Sequence, residues 1–174
     1  MNIDEIKNAI RNIPDYPKPG IQFKDITTAI KQPEIFKKIT DLFVQYYQDK
    51  QIDYIIGIES RGFIFASALA YLLGCGFVPI RKSGKLPADV ITQEYELEYG
   101  KDRIEIHTDA LEKGDRVLII DDLLATGGTT LAAAELVKKT NAEIAGFAFL
   151  IELSDLGARK KLEQFAEVFS LIEY

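Results

Sequence analysis

Residues 117–130, VLIIDDLLATGGTT, decide the fold that we predict for this chain. Four aliphatic residues lead into Asp121 and Asp122, and two leucines separate the acids from a small turn with a glycine pair. The helical pattern TLAAAELVKKT follows at 130–140. A short apolar run before a glycine turn and a helix is typical of a buried parallel strand. Ligands bind beyond the carboxyl ends of such strands, so we expect a ligand site at the acid pair.

The same succession of strand, turn and helix runs through most of the chain. Further short apolar stretches are YIIGI (54–58), FVPI (77–80), EIAGFAFLI (143–151) and the closing VFSLIEY. Helical patterns begin after Pro33 and at Phe63. Near-continuous apolar strands that alternate with helices favour a mostly parallel sheet covered on both faces. A chain of 174 residues is within the size of one domain, so we predict a single α/β domain over 1–174.

Two segments depart from this succession. Isoleucines at 3, 6, 10 and 13 have helical spacing and predict a helix over 3–13 that Pro14 ends. The following PDYPKPGIQF holds three prolines and predicts an extended connection. Residues 81–100, RKSGKLPADVITQEYELEYG, are polar, and the alternation in their second half predicts an exposed hairpin strand. An excursion of this length is usually functional or disordered.

Composition and charge limit the classes of partner. The net charge of −6 gives no basic field for nucleic acid or an anionic membrane, so neither is expected as a partner. Cys75 is the one cysteine, which excludes an intrachain disulfide and fits a reducing cytosol. His107 is the one histidine, which excludes a multi-histidine metal centre. We therefore expect a soluble, cytoplasmic protein.

The glycine loop after the acid pair has the composition of a phosphate site. The glycines remove side chains, so main-chain N–H groups can surround an anion at the positive end of the following helix. The candidate residues are Ala125, Thr126, Gly127, Gly128, Thr129 and Thr130. We call residues 125–130 the phosphate loop; no GK[ST] follows, so it is not a Walker A motif. Because carboxylates repel phosphate, Asp121 and Asp122 should face sugar hydroxyls or a Mg²⁺ ion.

Strand, acid pair and phosphate loop together resemble the signature of the type I phosphoribosyltransferases, which bind 5-phosphoribosyl 1-pyrophosphate. The resemblance implies that the loop binds the 5′-phosphate and that Asp121 and Asp122 lie by the ribose hydroxyls. It also implies a Mg²⁺ ion held mainly through the substrate, with the two acids nearby and no direct protein ligand. The residues by themselves leave a plainer interpretation open, a buried strand and turn with a chance acid pair.

Two further stretches extend the resemblance to a pyrophosphate site. GIESRGF (57–63) resembles the family's pyrophosphate loop, which often contains a cis peptide. IRK, GKLP and LEYG resemble the mobile loop of the family's adenine-specific members, here residues 82–104. The resemblance assigns pyrophosphate binding to Glu59, Ser60, Arg61, Arg81, Lys82 and Lys85. Without it, these stretches are an ordinary turn and a solvated hairpin.

The stretch PDYPKPGIQFKDIT resembles the hood that covers the base in the adenine-specific members, here residues 1–32. The resemblance implies that Phe23 and Leu123 lie on opposite faces of an adenine. Main-chain groups around Gln22 and Lys24 should then bind the purine edge, because the adenine amino group needs a carbonyl acceptor. Taken alone, Phe23 would more often be a core residue.

Carried over residue by residue, the resemblance implies an enzyme that joins adenine to 5-phosphoribosyl 1-pyrophosphate and gives AMP and pyrophosphate. Glu98, Tyr99 and Arg61 form its implied catalytic group, with Glu98 handling the purine proton. A homodimer is implied as well. Two alternatives remain open: an enzyme of the same fold that acts on xanthine or hypoxanthine, and a non-catalytic sensor of the phosphoribosyl donor.

Overall fold

The computed structural model describes residues 3–97 and 100–174. The helices are α1 (Ile3–Ala9), α2 (Thr27–Ile30), α3 (Pro33–Tyr47), α4 (Arg61–Leu73), α5 (Gly128–Thr140) and α6 (Arg159–Leu162). The strands are β1 (Arg11–Pro14), β2 (Gln22–Asp25), β3 (Tyr54–Ile58), β4 (Gly76–Lys82), β5 (Val90–Leu97), β6 (Gly100–His107), β7 (Arg116–Leu124), β8 (Glu143–Glu152) and β9 (Val168–Glu173). Within this part of the chain, no helix is both long enough and apolar enough to cross a membrane.

Most strands join one sheet, in the order β5-β6-β4-β3-β7-β8-β9. Neighbours from β4 to β9 run parallel, while β5 and β6 form an antiparallel hairpin that pairs with the end of β4. The predicted α/β fold with a mostly parallel sheet is thereby confirmed. Strands β3 and β7 are adjacent, and each leads into a helix, α4 or α5. Their carboxyl ends therefore lie side by side.

Helices cover both faces of the sheet and bury its apolar side chains. Along β7, Val117 and Ile119 belong to the core that includes α5, whereas Leu118 and Ile120 belong to the core that includes α3 and α4. These side chains are fully buried. Successive strand residues point to opposite faces, so an unbroken apolar run marks a strand covered on both sides. Each such side chain contributes about 1.5–3 kcal/mol to stability.

The N-terminal segment differs from the helix predicted over 3–13, and that prediction is wrong beyond Ala9. Helix α1 ends there, and β1 instead pairs antiparallel with β2, which aligns Ile13 with Phe23. The Arg11 guanidinium stabilises the pairing of β1 with β2 by donating two hydrogen bonds to Asp25 Oδ2, at 2.5 and 3.0 Å. The isoleucine spacing is a local signal, whereas hydrogen bonds to a partner strand determine the extended backbone conformation of residues 11–14.

Candidate active site

The phosphate loop connects β7 to α5 and encloses a small cavity. Gly127 has φ 80°, and a Cβ there would lie 3.0 Å from the Cβ of Ala158, so both its conformation and its surroundings require glycine. Helix α5 begins directly after it, with the Leu131 N–H donating to the Gly127 carbonyl at 2.8 Å. The cavity has a volume of about 100 Å³ and is lined by Asp121, Leu123, Ala125, Thr126, Gly127, Gly128, Thr129 and Thr130. Its size and its helix N-terminus suit one phosphate group.

The acid pair stands at the carboxyl end of β7, as predicted from the sequence. Asp122 is 5% exposed, and its Oδ2 accepts a hydrogen bond from Arg61 Nε at 2.5 Å. The Asp122 main-chain N–H donates to Asp121 Oδ1 at 2.8 Å. Burial, together with the neighbouring Asp122 carboxylate, raises the pKa of Asp121 well above its ordinary value. A cation or hydroxyl donors near Asp121 would stabilise its ionised form and so lower this raised pKa.

The loop at 57–63 brings Arg61 to the acid pair. Its Glu59–Ser60 peptide is cis, as the resemblance implies. Gly62 packs directly on β7, because a Cβ there would lie 2.8 Å from the carbonyl oxygen of Ile120. Burial alone would lower the pKa of Arg61, but the carboxylates of Asp122, Asp121 and Asp25 together outweigh it and the pKa is raised. Arg61 therefore remains cationic at the first turn of α4.

A larger cavity of about 340 Å³ adjoins the small one. Its lining residues are Ile58, Glu59, Ser60, Arg61, Lys82, Tyr95, Asp102, Ile104, Asp121, Asp122, Leu123 and Thr129. Asp121, Leu123 and Thr129 line both cavities, so Asp121 lies where they meet, and Asp122 lines the larger one. The pyrophosphate-loop residues, Lys82 and Leu123 are thus brought together as the sequence suggested.

Tyr95 and Asp102 line this cavity too, although the sequence did not single them out. Tyr95 on β5 is paired in register with Asp102 on β6. The alternation in ITQEYELEY predicts two faces for the hairpin strand, but it gives no sign of which face meets the acid pair. That depends on the pairing of β6 with β4, where Lys82 is aligned with Ile104.

Two cations at the pyrophosphate side, Arg81 and Lys82, have carboxylate partners. Arg81 Nε lies 3.0 Å from Glu59 Oε2, and Lys82 Nζ lies 3.1 Å from Asp102 Oδ2. Lys85 is exposed in the turn after β4, and neither it nor Arg81 lines the larger cavity. The structure therefore brings Arg61 and Lys82, but not Arg81 and Lys85, to the cavity of this chain.

One of the hood residues, Phe23, lies near Arg61. The Arg61 guanidinium carbon lies 6.0 Å from the ring centroid of Phe23, and the Tyr16 ring packs edge-on against Phe23 at 5.2 Å. Lys24 Nζ lies 3.9 Å from the centroid of the Tyr174 ring, so its ammonium is engaged there. The side chain of Gln22 accepts a hydrogen bond from Asn12 at 2.6 Å. None of the three candidate residues on β2 lines the larger cavity.

Two predicted residues, Glu98 and Tyr99, lie outside the described residues, and their roles stay predictions. His107 ends β6, and its Nε2 is buried with no hydrogen-bond partner among the described residues.

The acid pair fits a divalent cation held together with a substrate. In the part of the chain that the structure describes, no group of three or more His, Cys, Asp and Glu side chains could hold a metal ion. Mg²⁺ usually keeps several waters and takes one or two carboxylates plus substrate phosphates. Asp121, at the junction of the two cavities, and Asp122, in the wall of the larger one, offer that number of carboxylates.

Comparison with known proteins assigns this arrangement to a family. The family model described as phosphoribosyl transferase domain matches residues 27–173. The adenine phosphoribosyltransferase of Chlorobium chlorochromatii (strain CaD3) is 59% identical over 172 residues, which cover 97% of each chain. The crystal structure of adenine phosphoribosyltransferase from Thermoanaerobacter pseudethanolicus superposes with a TM-score of 0.96 at 48% identity, covering 99% of this chain and 100% of that one. A third relative is adenine phosphoribosyltransferase from Saccharomyces cerevisiae, whose crystal structure is complexed with D-2,5-dideoxy-2,5-imino-altritol 1,6-bisphosphate and adenine. It superposes with a TM-score of 0.92 at 43% identity, covering 97% of each chain.

Proposed function

This chain belongs to the family built on the phosphoribosyl transferase domain, and from that premise we propose that it is an adenine phosphoribosyltransferase of purine salvage. It joins adenine to 5-phosphoribosyl 1-pyrophosphate and releases AMP and pyrophosphate. The relatives that carry this name cover nearly the whole chain. The observation in the structure that carries the proposal is the pair of adjoining cavities with Asp121 in the wall of both.

The two cavities divide the phosphoribosyl donor between them. The phosphate loop binds the 5′-phosphate through main-chain N–H groups and the hydroxyls of Thr126, Thr129 and Thr130. The larger cavity takes the pyrophosphate, with Arg61 and Lys82 as the cations that line it. The ribose lies between, where Asp121 and Asp122 accept hydrogen bonds from its 2′- and 3′-hydroxyls.

Mg²⁺ is the cofactor in this proposal. When bound, it neutralises the charge that the leaving pyrophosphate gains. Oxygens of the donor would hold it for the most part, with Asp121 and Asp122 nearby. Because burial raises the pKa of Asp121, a nearby cation also favours the ionised form of this carboxyl.

The chain's own residues stabilise the charge that develops during transfer. As the bond between C1 and the pyrophosphate oxygen breaks, the ribose gains oxocarbenium character, as in glycoside chemistry. The carboxylates of Asp121 and Asp122 face that positive charge, and Arg61 faces the departing phosphates. N9 of adenine attacks from the opposite face, so the configuration at C1 inverts. Glu98 accepts or relays the purine proton.

Adenine binds under the hood, residues 1–32. Phe23 covers one face of the base and Leu123 the other, and main-chain groups at Gln22 and Lys24 hydrogen-bond its edge. Support for this placement comes from Leu123 in the cavity wall and from Phe23 beside Arg61. The engagement of the Lys24 ammonium with Tyr174 leaves the main chain of β2 as the purine-binding part. Closure of residues 82–97 then excludes water from the reacting carbon.

A homodimer working in the cytoplasm completes the proposal. Tyr71 on α4 is 87% exposed, and Phe77 on β4 is 39% exposed and packs 5.6 Å from Phe63. Exposed aromatic side chains of this kind suit a partner subunit. Arg81 does not line the larger cavity of its own chain, and its guanidinium lies 5.8 Å from the Phe63 ring, which supports a role for it at the partner's pyrophosphate. Sedimentation of Phe77→Asp beside the parent protein tests this, since a dimer built on this face would dissociate.

The function itself is tested with a mass-resolved assay for nucleotide products. The protein is incubated with 5-phosphoribosyl 1-pyrophosphate and adenine, hypoxanthine or xanthine, each with and without Mg²⁺. We expect AMP from adenine in the presence of Mg²⁺ and little product otherwise. A preference for hypoxanthine or xanthine would reassign the base, and no nucleotide from any base would favour a donor sensor.

A further inference from the structure

Contacts of the β5–β6 hairpin reach both halves of the proposed donor site. Lys82 Nζ lies 3.1 Å from Asp102 Oδ2, and the Tyr95 hydroxyl donates to the same oxygen at 3.2 Å. The Tyr95 ring adjoins the phosphate loop, where a Cβ on Gly128 would lie 3.8 Å from its Cδ2, and Thr129 of that loop lines the cavity beside it. Lys82, Asp102 and Tyr95 line the larger cavity too. The proposed function gives Lys82 and Thr129 to the donor, but it gives no task to Asp102 or Tyr95.

Of the ion pair, Asp102 is the fixed partner and Lys82 the movable one. Asp102 Oδ1 accepts the main-chain N–H of Arg103 at 2.8 Å, while Oδ2 is held by Tyr95. Its side chain is 26% exposed, against 58% for Lys82. The Arg103 N–H and then Lys82 lower the pKa of Asp102, so it stays a carboxylate at neutral pH. When a ligand enters, the long lysine can change partners, but the acid remains in the cavity wall.

We propose that Asp102 is a counter-ligand for Lys82, a fixed carboxylate that competes with pyrophosphate for this lysine and so weakens pyrophosphate binding. The inference rests on the proposed function, because that function puts pyrophosphate in the larger cavity. A fixed negative charge beside a bound polyanion is repulsive, and an already paired lysine must give up Asp102 to bind a phosphate. Both effects speed release of this product. Asp102 is thus a positioning residue that acts through Lys82.

Asp102→Asn tests the proposal, because the amide keeps an oxygen for Tyr95 and removes the charge. Calorimetric titration with sodium pyrophosphate at fixed ionic strength, without adenine, should show binding tightened roughly threefold to tenfold. Asp102→Ser should shift affinity in the same direction, which guards against a folding defect in one variant. The matched control is Glu94→Gln, since Glu94 on the same hairpin pairs with Lys101 and Arg103 and does not line the cavity.

The sign of the shift separates this role from a structural one. If Asp102 only holds Lys82 in place for the ligand, both variants bind pyrophosphate more weakly, which overturns the proposal; unchanged affinity overturns it too. In a Lys82→Met background, Asp102→Asn should increase pyrophosphate affinity by less than half as much as it does in the parent protein. An equal increase in affinity would show that Asp102 does not act through Lys82, which overturns the proposal. A parent protein that binds pyrophosphate yet makes no AMP contradicts the proposed function, while the Asp102 result stands on the titration.

Discussion

The two anion sites of this molecule are built from different parts of the chain. The phosphate loop offers main-chain N–H groups and short hydroxyls between a buried strand and the first turn of α5. The pyrophosphate side offers long cationic side chains, and three of them are already paired with an acid: Arg61 with Asp122, Lys82 with Asp102 and Arg81 with Glu59. One site is preorganised when the chain folds, whereas the other must exchange partners whenever a ligand arrives or leaves.

The difference matches what the proposed reaction asks of each end of the donor. The 5′-phosphate remains attached to the product, so a rigid site can hold substrate, transition state and nucleotide alike. The pyrophosphate changes from a bound group to a free product in each cycle, and a site that exchanges ion pairs releases it more easily. Preorganised binding costs less at the moment of association, while pairs that must be broken reduce the net gain.

The largest expected effect comes from breaking the preorganised site with Gly127→Val. The residue has φ 80°, and its Cβ would lie 3.0 Å from that of Ala158, so the loop must distort. Loss of two charge-assisted hydrogen bonds is on the order of 3 kcal/mol, or a hundredfold in affinity for ribose 5-phosphate. Calorimetry with ribose 5-phosphate measures it. Gly114→Val is the control, because Gly114 has φ 90° but nothing within 4 Å of its Cβ; similar losses in both variants would point to general strain instead.

Asp122→Asn breaks the junction between the two sites and should have the next largest effect. It removes a carboxylate that faces the developing ribose charge, so the single-turnover rate should fall on the order of fiftyfold. Mg²⁺-dependent donor binding should also weaken, while pyrophosphate binding holds because Arg61 is released from its pair. Rapid-quench measurements check the rate, with Asp109→Asn, a change in an exposed turn, as the control. Unchanged kinetics would count against the acid pair.

Arg61→Gln sharpens the contrast by touching the exchanging site alone. Pyrophosphate affinity should fall about tenfold, because one of the two cavity-lining cations is lost, whereas ribose 5-phosphate affinity should stay within about twofold. Thermal stability should also fall, since Asp122 keeps a buried charge without its partner. The matched control is Arg116→Gln, which removes an arginine–glutamate pair at the other end of β7. Equal losses for both ligands would refute the division of the donor.

The smallest expected effect is on stability, and it comes from the ion pair between Arg11 and Asp25 in the hood. No ligand of the proposed reaction displaces this pair. Hydrogen bonds from Thr27 and then from Arg11 lower the pKa of Asp25 to about 2, from an ordinary value of 3.8. Its contribution to stability is therefore present above pH 3.8 and is lost as the pH falls toward 2. Urea unfolding of the parent and Asp25→Asn should give midpoints that converge over this range. A constant difference would show that the charge of Asp25 is not what stabilises the hood.

The sequence alone determined the features that depend on neighbours in the chain. Unbroken apolar runs such as 117–120 predicted strands covered on both faces, because only such strands need no polar side. The position of Asp121 and Asp122 after a strand, and of the glycines before a helix, fixed the phosphate site at the carboxyl end of the sheet. The family resemblance added the pyrophosphate loop and its cis peptide at Glu59–Ser60.

Only the tertiary structure decided the features that depend on strand pairing. The β1–β2 pair replaced the end of a predicted helix, because hydrogen bonds to a partner strand outweighed the local isoleucine spacing. The register of β6 against β4 and β5 brought Tyr95 and Asp102 into the cavity beside Lys82. A shift of one residue would turn these side chains to the opposite face, and nothing in the order of residues along one strand fixes that register.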